Sequence, residues 1–269
     1  MTTIALGDYA IPQVGLGLWQ VDSVEQFNRA FDAAIAAGYR HFDSAQFYKN
    51  EKMLGDAWIR SGLNRQDLFL TTKIKLANFP VNRLRKSVDA SLKELQTNYI
   101  DLLLLHFPVT GLRKGAWQAL EKVKAEGKVR NIGVSNYTIR HLEGLKRYAH
   151  ELPAINQVEL HVFLQQPELV KYCRDNGIVL EAYSPLAHGK DMTNQTVQQL
   201  ADKYSKSYAQ IMLRWCVEEG MVVLPKSVTP SRIEENLQLF DFELSSDDLQ
   251  ALETCDRDLR TCWSPVHVP

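Results

Sequence analysis

The sequence is poor in the features that mark specialised settings. Nowhere does it hold an apolar run near the ~20 residues that cross a bilayer. Its first residues, M-T-T-I-A-L-G-D-Y, carry neither the charged start nor the apolar core of a secretory signal. Charge of one sign is not in surplus: Lys+Arg 31 against Asp+Glu 32 give a formal net charge of -1, which leaves no basic excess for nucleic acid. The four cysteines are Cys173, Cys216, Cys255 and Cys262. None forms C-x-x-C, and Cys255 and Cys262 stand too far apart for the common zinc pair, so they read as reduced thiols. A Walker loop, G-x-S-x-G and H-E-x-x-H are all missing. The expectation is a soluble, cytoplasmic protein with no metal, no nucleic-acid partner and no membrane partner.

What is present is a regular alternation. Residues 3 to 12 read as two short strands about Gly7-Asp8, a dipeptide suited to a hairpin. Eight further strands follow: Val14–Trp19, Tyr39–Phe42, Leu68–Thr72, Ile100–Leu105, Val129–Val134, Ile155–Leu160, Ile178–Tyr183 and Val222–Leu224. Amphipathic helical segments separate them. Two open on capping boxes, Ser23 with Gln26 and Ser207 with Gln210, and Thr229-Pro230 starts one carrying Ile233, Leu237 and Phe240. Continuous apolar strands between such helices require a parallel sheet covered on both faces. With 269 residues, eight β/α units predict one domain over 1–269, an α/β protein of the (β/α)8 TIM-barrel class. An open doubly wound sheet is the alternative, but Gly15-Leu-Gly17-Leu-Trp-Gln20 lacks the third glycine of its phosphate-binding fingerprint.

In a barrel every strand C-terminus opens on one face, where catalysis resides. Asp43, Lys73, His106, Asn136, Tyr183 and Lys226 fall at or just past such ends, and Tyr48 lies five residues beyond Asp43. Each alone is an ordinary turn, rim or core residue. Together they bring a carboxylate, an ammonium, a phenol and an imidazole to one rim. A free phenol, pKa ~10, yields its proton poorly at neutral pH, and an adjacent ammonium favours the phenolate. Asp43 would neutralise and orient Lys73, and a neutral His106 could hydrogen-bond a carbonyl oxygen. That set suits protonation of an oxygen while a hydride donor such as a nicotinamide attacks the carbon. At the last strand, Lys226 and Arg232, with Ser227, Thr229 and a helix start between them, suit a phosphate dianion.

Longer stretches carry a resemblance. G-L-G-L-W at Gly15, F-D-S-A-Q-F-Y-K-N-E at Phe42, T-T-K-I at Thr71 and L-L-L-L-H-F-P at Leu102 are four of them. I-G-V-S-N at Ile132, N-Q-V-E at Asn156, Y-S-P-L at Tyr183 and L-P-K-S-V-T-P-S-R-I-E-E-N at Leu224 complete the series. In this order they resemble the aldo-keto reductases, and the short loops after the strands are most similar to the small bacterial members that include 2,5-diketo-D-gluconate reductases. The resemblance implies a barrel whose N-terminal hairpin caps the bottom, with NADPH/NADP extended across the top. It implies Tyr48 as the acid, with Asp43, Lys73 and His106 completing a tetrad. For the cofactor it implies Leu18 and Trp19, Tyr183 stacked on the nicotinamide, and Ser135, Asn136 and Gln157 on its carboxamide. Ser184, Leu186 and Lys190 would line the pyrophosphate. Lys226, Ser227, Val228, Thr229 and Arg232 would take the 2′-phosphate, and Glu235 with Asn236 the adenine.

The implied activity is reduction of a small-molecule carbonyl by a monomeric enzyme, with methylglyoxal, aromatic aldehydes and keto-sugars as candidate substrates. Trp19, Phe47 and Phe107 are expected on the substrate side, although Trp19 and Phe47 also suit plain core packing. Lys75 either sits at the pocket mouth and favours keto-acids or points into solvent. The tail with Trp263 is expected to fold over the pocket. Two other classes stay open: a cofactor-binding barrel with little turnover, and a metal-dependent barrel hydrolase using His41 and Asp43, for which no second histidine cluster exists.

Overall fold

A computed structural model describes residues 2–269. Strands β1 (Thr3–Leu6) and β2 (Tyr9–Pro12) form an antiparallel hairpin, with Leu6 opposite Tyr9 and Gly7 in the left-handed region at φ +60°. The remaining strands are β3 (Leu16–Gly17), β4 (His41–Asp43), β5 (Phe69–Ile74), β6 (Ile100–Leu105), β7 (Val129–Ser135), β8 (Ile155–Glu159), β9 (Val179–Tyr183) and β10 (Val222–Leu224). They make one parallel sheet in sequence order from β3 to β10. Three backbone bonds bring its edges together: Val223 N–H to Gln13 O, Gly15 N–H to Val223 O and Gly17 N–H to Pro225 O. Gly15 is required at this seam, because a Cβ there would lie 2.4 Å from His41 Nδ1.

Ten helices accompany the strands among the described residues. In α1 (Val24–Ala37), Phe27, Ala30, Phe31 and Ala34 recur at helical spacing and are buried. Ser23 Oγ accepts from Gln26 N–H, but the reciprocal half of the expected box is absent; at Ser207 and Gln210 both halves form. Past its C-terminus, Gly38 sits at φ +107° and returns its N–H to Ala34 O and Ile35 O. Two expectations need correction. A helix α7 (Gln195–Tyr204), capped by Asn194, precedes α8 (Tyr208–Glu218) where one helix was expected. Helix α9 (Pro230–Glu235) ends before Leu237 and Phe240, and Phe240 is exposed.

The barrel's inward positions alternate along each strand. Leu103 and Leu105 of β6 join the cluster shared with the helices, whereas Leu102 and Leu104 pack with Phe69, Ile155 and Val222. Leu6 and Ile11 of the hairpin belong to that second cluster. The hairpin therefore plugs the barrel at the N-terminal ends of its strands. Following the inward positions toward the other end, Thr71 pairs with Leu102 and Lys73 with Leu104, while Gln157 follows Ile155 by two. There the filling changes from hydrocarbon to charge.

Candidate active site

Asp43 ends β4 and Lys73 lies in β5, and both side chains are buried at the strands' C-terminal ends. Lys73 Nζ donates to Asp43 Oδ1 at 2.6 Å and Oδ2 at 2.8 Å, to Ser44 O at 3.0 Å, and to Tyr48 Oη at 3.3 Å. Tyr48 comes from the loop after β4, which is pinned from two sides. Asn50 accepts from Ser44 Oγ and donates to Leu18 O and Val21 O. Gln46 donates to Ser87 O and Ser91 Oγ and accepts from Lys75 N–H and Asn78 Nδ2. A loop tied this way holds the phenol without a rigid element beneath it.

His106 follows β6, and its ring lies 5.8 Å from that of Tyr48, nearly perpendicular. Burial, then the Lys73 charge, lower its pKa to about 3. The imidazole is neutral throughout the ordinary pH range and can hydrogen-bond an oxygen without bringing a charge. The phenol departs from the sequence argument. Lys73 pulls Tyr48 down, but burial is the larger effect and Asp43 adds to it, so the net direction is upward. Burial pulls Lys73 down, yet the Asp43 charge and its hydrogen bond, with the Tyr48 oxygen alongside, outweigh it and the ammonium is held more firmly than usual. The pair rests as phenol beside ammonium, with Lys73 poised to favour any phenolate that forms.

These groups open into a cleft of about 1120 Å³. One end is aromatic: Trp19 stacks on Phe47 with centroids 5.7 Å apart, and Trp263 packs on Phe107 at 4.0 Å. Trp263 belongs to a C-terminal strap, as the sequence suggested, and the strap is tied to Glu159. Thr261 donates to Glu159 Oε1 through both N–H (2.7 Å) and Oγ1 (2.5 Å), and Cys262 N–H donates to Oε2 (3.1 Å). Burial works against the carboxylate, but these bonds and that of His161 prevail and hold it down at about 2. Midway along the cleft Tyr183 donates its hydroxyl to Asn136 Oδ1 at 2.8 Å, which fixes the plane of its ring. Asn136 adopts φ +64° and donates Nδ2 to His106 O and Ser135 Oγ.

The far end is polar. Lys226 and Arg232 line it, both exposed, and neither makes an ion pair among the described residues. The helix start expected to help them is weaker than the sequence implied. Helix α9 has six residues, opens on Pro230, and Thr229 N–H is already bonded to Ser227 Oγ. Cations and hydroxyls give this end its positive, hydrogen-bonding character. Ser207 Oγ donates to Glu235 Oε1 at 2.5 Å and joins α8 to α9 at the cleft's limit.

Asp43, Phe47, Tyr48, His106, Phe107, Ser135, Asn136, Gln157, Tyr183, Ser184, Leu186, Ser227, Glu235 and Asn236 line this cleft, as do Trp19, Lys226 and Arg232. Leu18, Lys73, Lys75, Lys190, Val228 and Thr229 do not. Lys73 lies behind Tyr48, within hydrogen-bond reach of its hydroxyl, and Leu18 is buried. Lys75 is half-buried and does not line the cleft. Leu76, His188, Met192, Tyr208 and Cys262 also line the cleft and went unremarked as site residues in the sequence. Only the capping box at Ser207 hinted at Tyr208; the others sit in loops with no motif. Among the described residues no cluster of His, Cys, Asp or Glu is arranged to hold a metal ion, and no helix is long and apolar enough to cross a membrane.

Comparison with known proteins follows the same outline. The model of the aldo/keto reductase family matches residues 13–257. Glyoxal reductase of Bacillus subtilis is 41% identical over 255 residues, covering 95% of this chain and 92% of the relative. Methylglyoxal reductase DkgA of Escherichia coli K12 is 43% identical over 264 residues, covering 96% and 95%. The crystal structure of a Bombyx mori aldo-keto reductase in complex with NADP superposes with a TM-score of 0.92 at 32% identity, covering 97% of this chain and 94% of that one.

Proposed function

The chain belongs to the aldo/keto reductase family and is an oxidoreductase of carbonyl compounds, and from that premise we propose that it reduces small aldehydes and ketones with NADPH, Tyr48 giving the proton. The observation that carries this reading is the hydrogen-bonded series Asp43–Lys73–Tyr48, its phenol facing the cleft beside a neutral imidazole.

The residues present fit the dinucleotide. The cleft runs from the phenol past the fixed Tyr183 ring to two cations with no ion-pair partner among the described residues, as an extended molecule with a terminal phosphate demands. When bound, NADPH supplies hydride to the carbonyl carbon. In this reading Tyr183 stacks on the nicotinamide ring, while Ser135, Asn136 and Gln157 hold its carboxamide and Leu18 and Trp19 border it. Ser184, Leu186 and Lys190 attend the pyrophosphate. Lys226, Ser227, Val228, Thr229 and Arg232 take the 2′-phosphate, and Glu235 with Asn236 the adenine. NADPH is therefore preferred to NADH.

The chain's own groups account for the proton. His106 donates a hydrogen bond to the carbonyl oxygen and sets its approach toward Tyr48 Oη. Tyr48 transfers its proton to that oxygen as charge develops there, and the Lys73 ammonium stabilises the phenolate left behind. Asp43 keeps Lys73 charged in a buried site. Aromatic walls, with the Lys73 charge already paired to Asp43 behind the phenol, favour uncharged carbonyls such as methylglyoxal and aromatic aldehydes, with keto-sugars as further candidates. The names of the glyoxal and methylglyoxal reductases support the small dicarbonyls. The reading extends to a single domain acting as a monomer. Four unpaired thiols suit a reducing, cytoplasmic setting.

Tyr48→Phe tests the reading. Methylglyoxal-dependent oxidation of NADPH should collapse while NADPH still quenches the protein fluorescence with unchanged affinity. A variant as fast as the parent would remove Tyr48 from its role.

A further inference from the structure

A second carboxyl group lies beneath the proton donor. Glu181 stands in the middle of β9, in I-V-L-E-A-Y, and is completely buried in the barrel interior. Its Oε2 accepts from Gln157 Nε2 at 2.6 Å. The same nitrogen gives its other proton to Asp43 Oδ2 at 2.9 Å. One amide therefore bridges the carboxylate that holds Lys73 and a carboxyl group with no cation of its own. Among the described residues Glu181 Oε1 has no hydrogen-bond partner, and it lies 3.6 Å from His41 Nε2, which is 3.0 Å from Thr71 Oγ1.

The groups facing Glu181 decide its charge. β4 brings His41 and Asp43, β5 brings Thr71 and Lys73, and β8 brings Gln157; the β10 position paired with Glu181 is Val222. Burial, helped less by Lys73 than it is opposed by a backbone bond at Pro12, leaves His41 near 3, so it brings no positive charge. The Lys73 ammonium is occupied by both oxygens of Asp43. A second carboxylate in this space would be buried and uncompensated, so Glu181 is a neutral acid at neutral pH. Burial and then the Asp43 charge push it up to about 8, against the pull of Gln157 and Lys73.

We propose that Glu181 is a positioning residue that acts on Tyr48 through Gln157 and Asp43, and that loss of its proton brakes carbonyl reduction at alkaline pH. The proposal rests on the reading of Tyr48 as the acid. Protonated, Glu181 holds the Gln157 amide against Asp43 and leaves Asp43 and Lys73 balanced. Ionised, it adds a negative charge behind Asp43. That charge disfavours the phenolate Tyr48 must become, so the phenol is a weaker acid and proton transfer slows. Gln157 thereby gains a task beyond the nicotinamide carboxamide.

The test is the pH profile of kcat for methylglyoxal reduction at saturating NADPH, with wild type and Glu181→Gln, and with NADPH affinity measured alongside. The wild type should lose rate in two stages, the first centred near pH 8. Glu181→Gln keeps a hydrogen-bond acceptor for Gln157 but cannot ionise; it should lack the first stage, with NADPH affinity following the wild type at every pH. A variant profile that parallels the wild type throughout overturns the proposal. Should Glu181→Gln not fold, the wild-type profile decides: a single descent with no stage near pH 8 overturns it equally. Tyr48→Phe keeps the two ideas apart, since its inactivity beside parallel profiles removes the role of Glu181 alone, and its full activity removes both.

Discussion

The two ends of the barrel interior use the same strands and the same inward positions, yet they are filled with opposite chemistry. At the strand N-termini Phe69, Leu102, Ile155 and Val222 close over the hairpin's Leu6 and Ile11. Farther along, Asp43, Lys73, Gln157 and Glu181 meet in a hydrogen-bonded group, equally buried. Buried hydrocarbon stabilises without needing partners, whereas each buried polar atom must find one or cost free energy. The polar end does not meet that condition fully: among the described residues Glu181 Oε1 and His106 Nδ1 are without partners. One end of the barrel is built to fold, and the other is tolerated because of what it does.

Substitutions at the two ends should therefore separate turnover from stability. The largest separation is expected for Tyr48→Phe, with kcat down about 10²–10⁴-fold, the usual contribution of a general acid, and the urea midpoint almost unmoved. Leu102→Ala should do the reverse. It should cost about 2–5 kcal/mol in urea unfolding while kcat per folded molecule stays near the parent's. A Leu102→Ala enzyme that is stable but slow would break the comparison. A smaller effect is expected at the cleft's exposed end, where Arg232→Ala should weaken NADPH about tenfold, as loss of one charge-assisted contact does, and leave NADH unchanged. The last is a slope, spread over several pH units. Glu181 rises from ~4.3 in the unfolded chain to about 8 in the fold, so folding takes up a proton across that window. Stability should fall as pH rises through it, by at most about 1.4 kcal/mol per unit, and Glu181→Gln should flatten that fall in urea titrations. Glu51, pushed to about 7 chiefly by burial, contributes in the same sense and its share should persist in the variant.

The fold was readable where pattern and period agreed. Ile100–Leu105 is apolar apart from Asp101, the near-continuous run expected of a strand buried on both faces. Gly7-Asp8 located the hairpin turn. Helix α7 escaped because it stands against α8, and only Asn194 marked its start. At the site, Asp43, Tyr48, Lys73 and His106 were legible because strand ends of a barrel meet on one face. Glu181 was not, since a single acid inside a strand looks like a solvent-facing residue until closure turns it inward. Lys75 stayed open in the sequence between the pocket mouth and solvent. Two residues past Lys73, it has the right parity for the pocket, but the chain leaves the strand at Ile74 and carries it off the cleft. The direction of the Tyr48 shift needed the structure as well, because composition reveals a neighbouring cation but not the depth of burial.

The strap offers a practical return. Cys173, Cys216 and Cys255 are buried, and Cys262 alone is partly open, on the cleft rim with its sulfur 3.3 Å from His188 Nε2. A thiol-reactive dye would thus report from one place. Burial raises that thiol's pKa, so labelling should quicken as the medium turns alkaline. Its emission would follow the arrival and departure of nucleotide in real time, with no engineered cysteine.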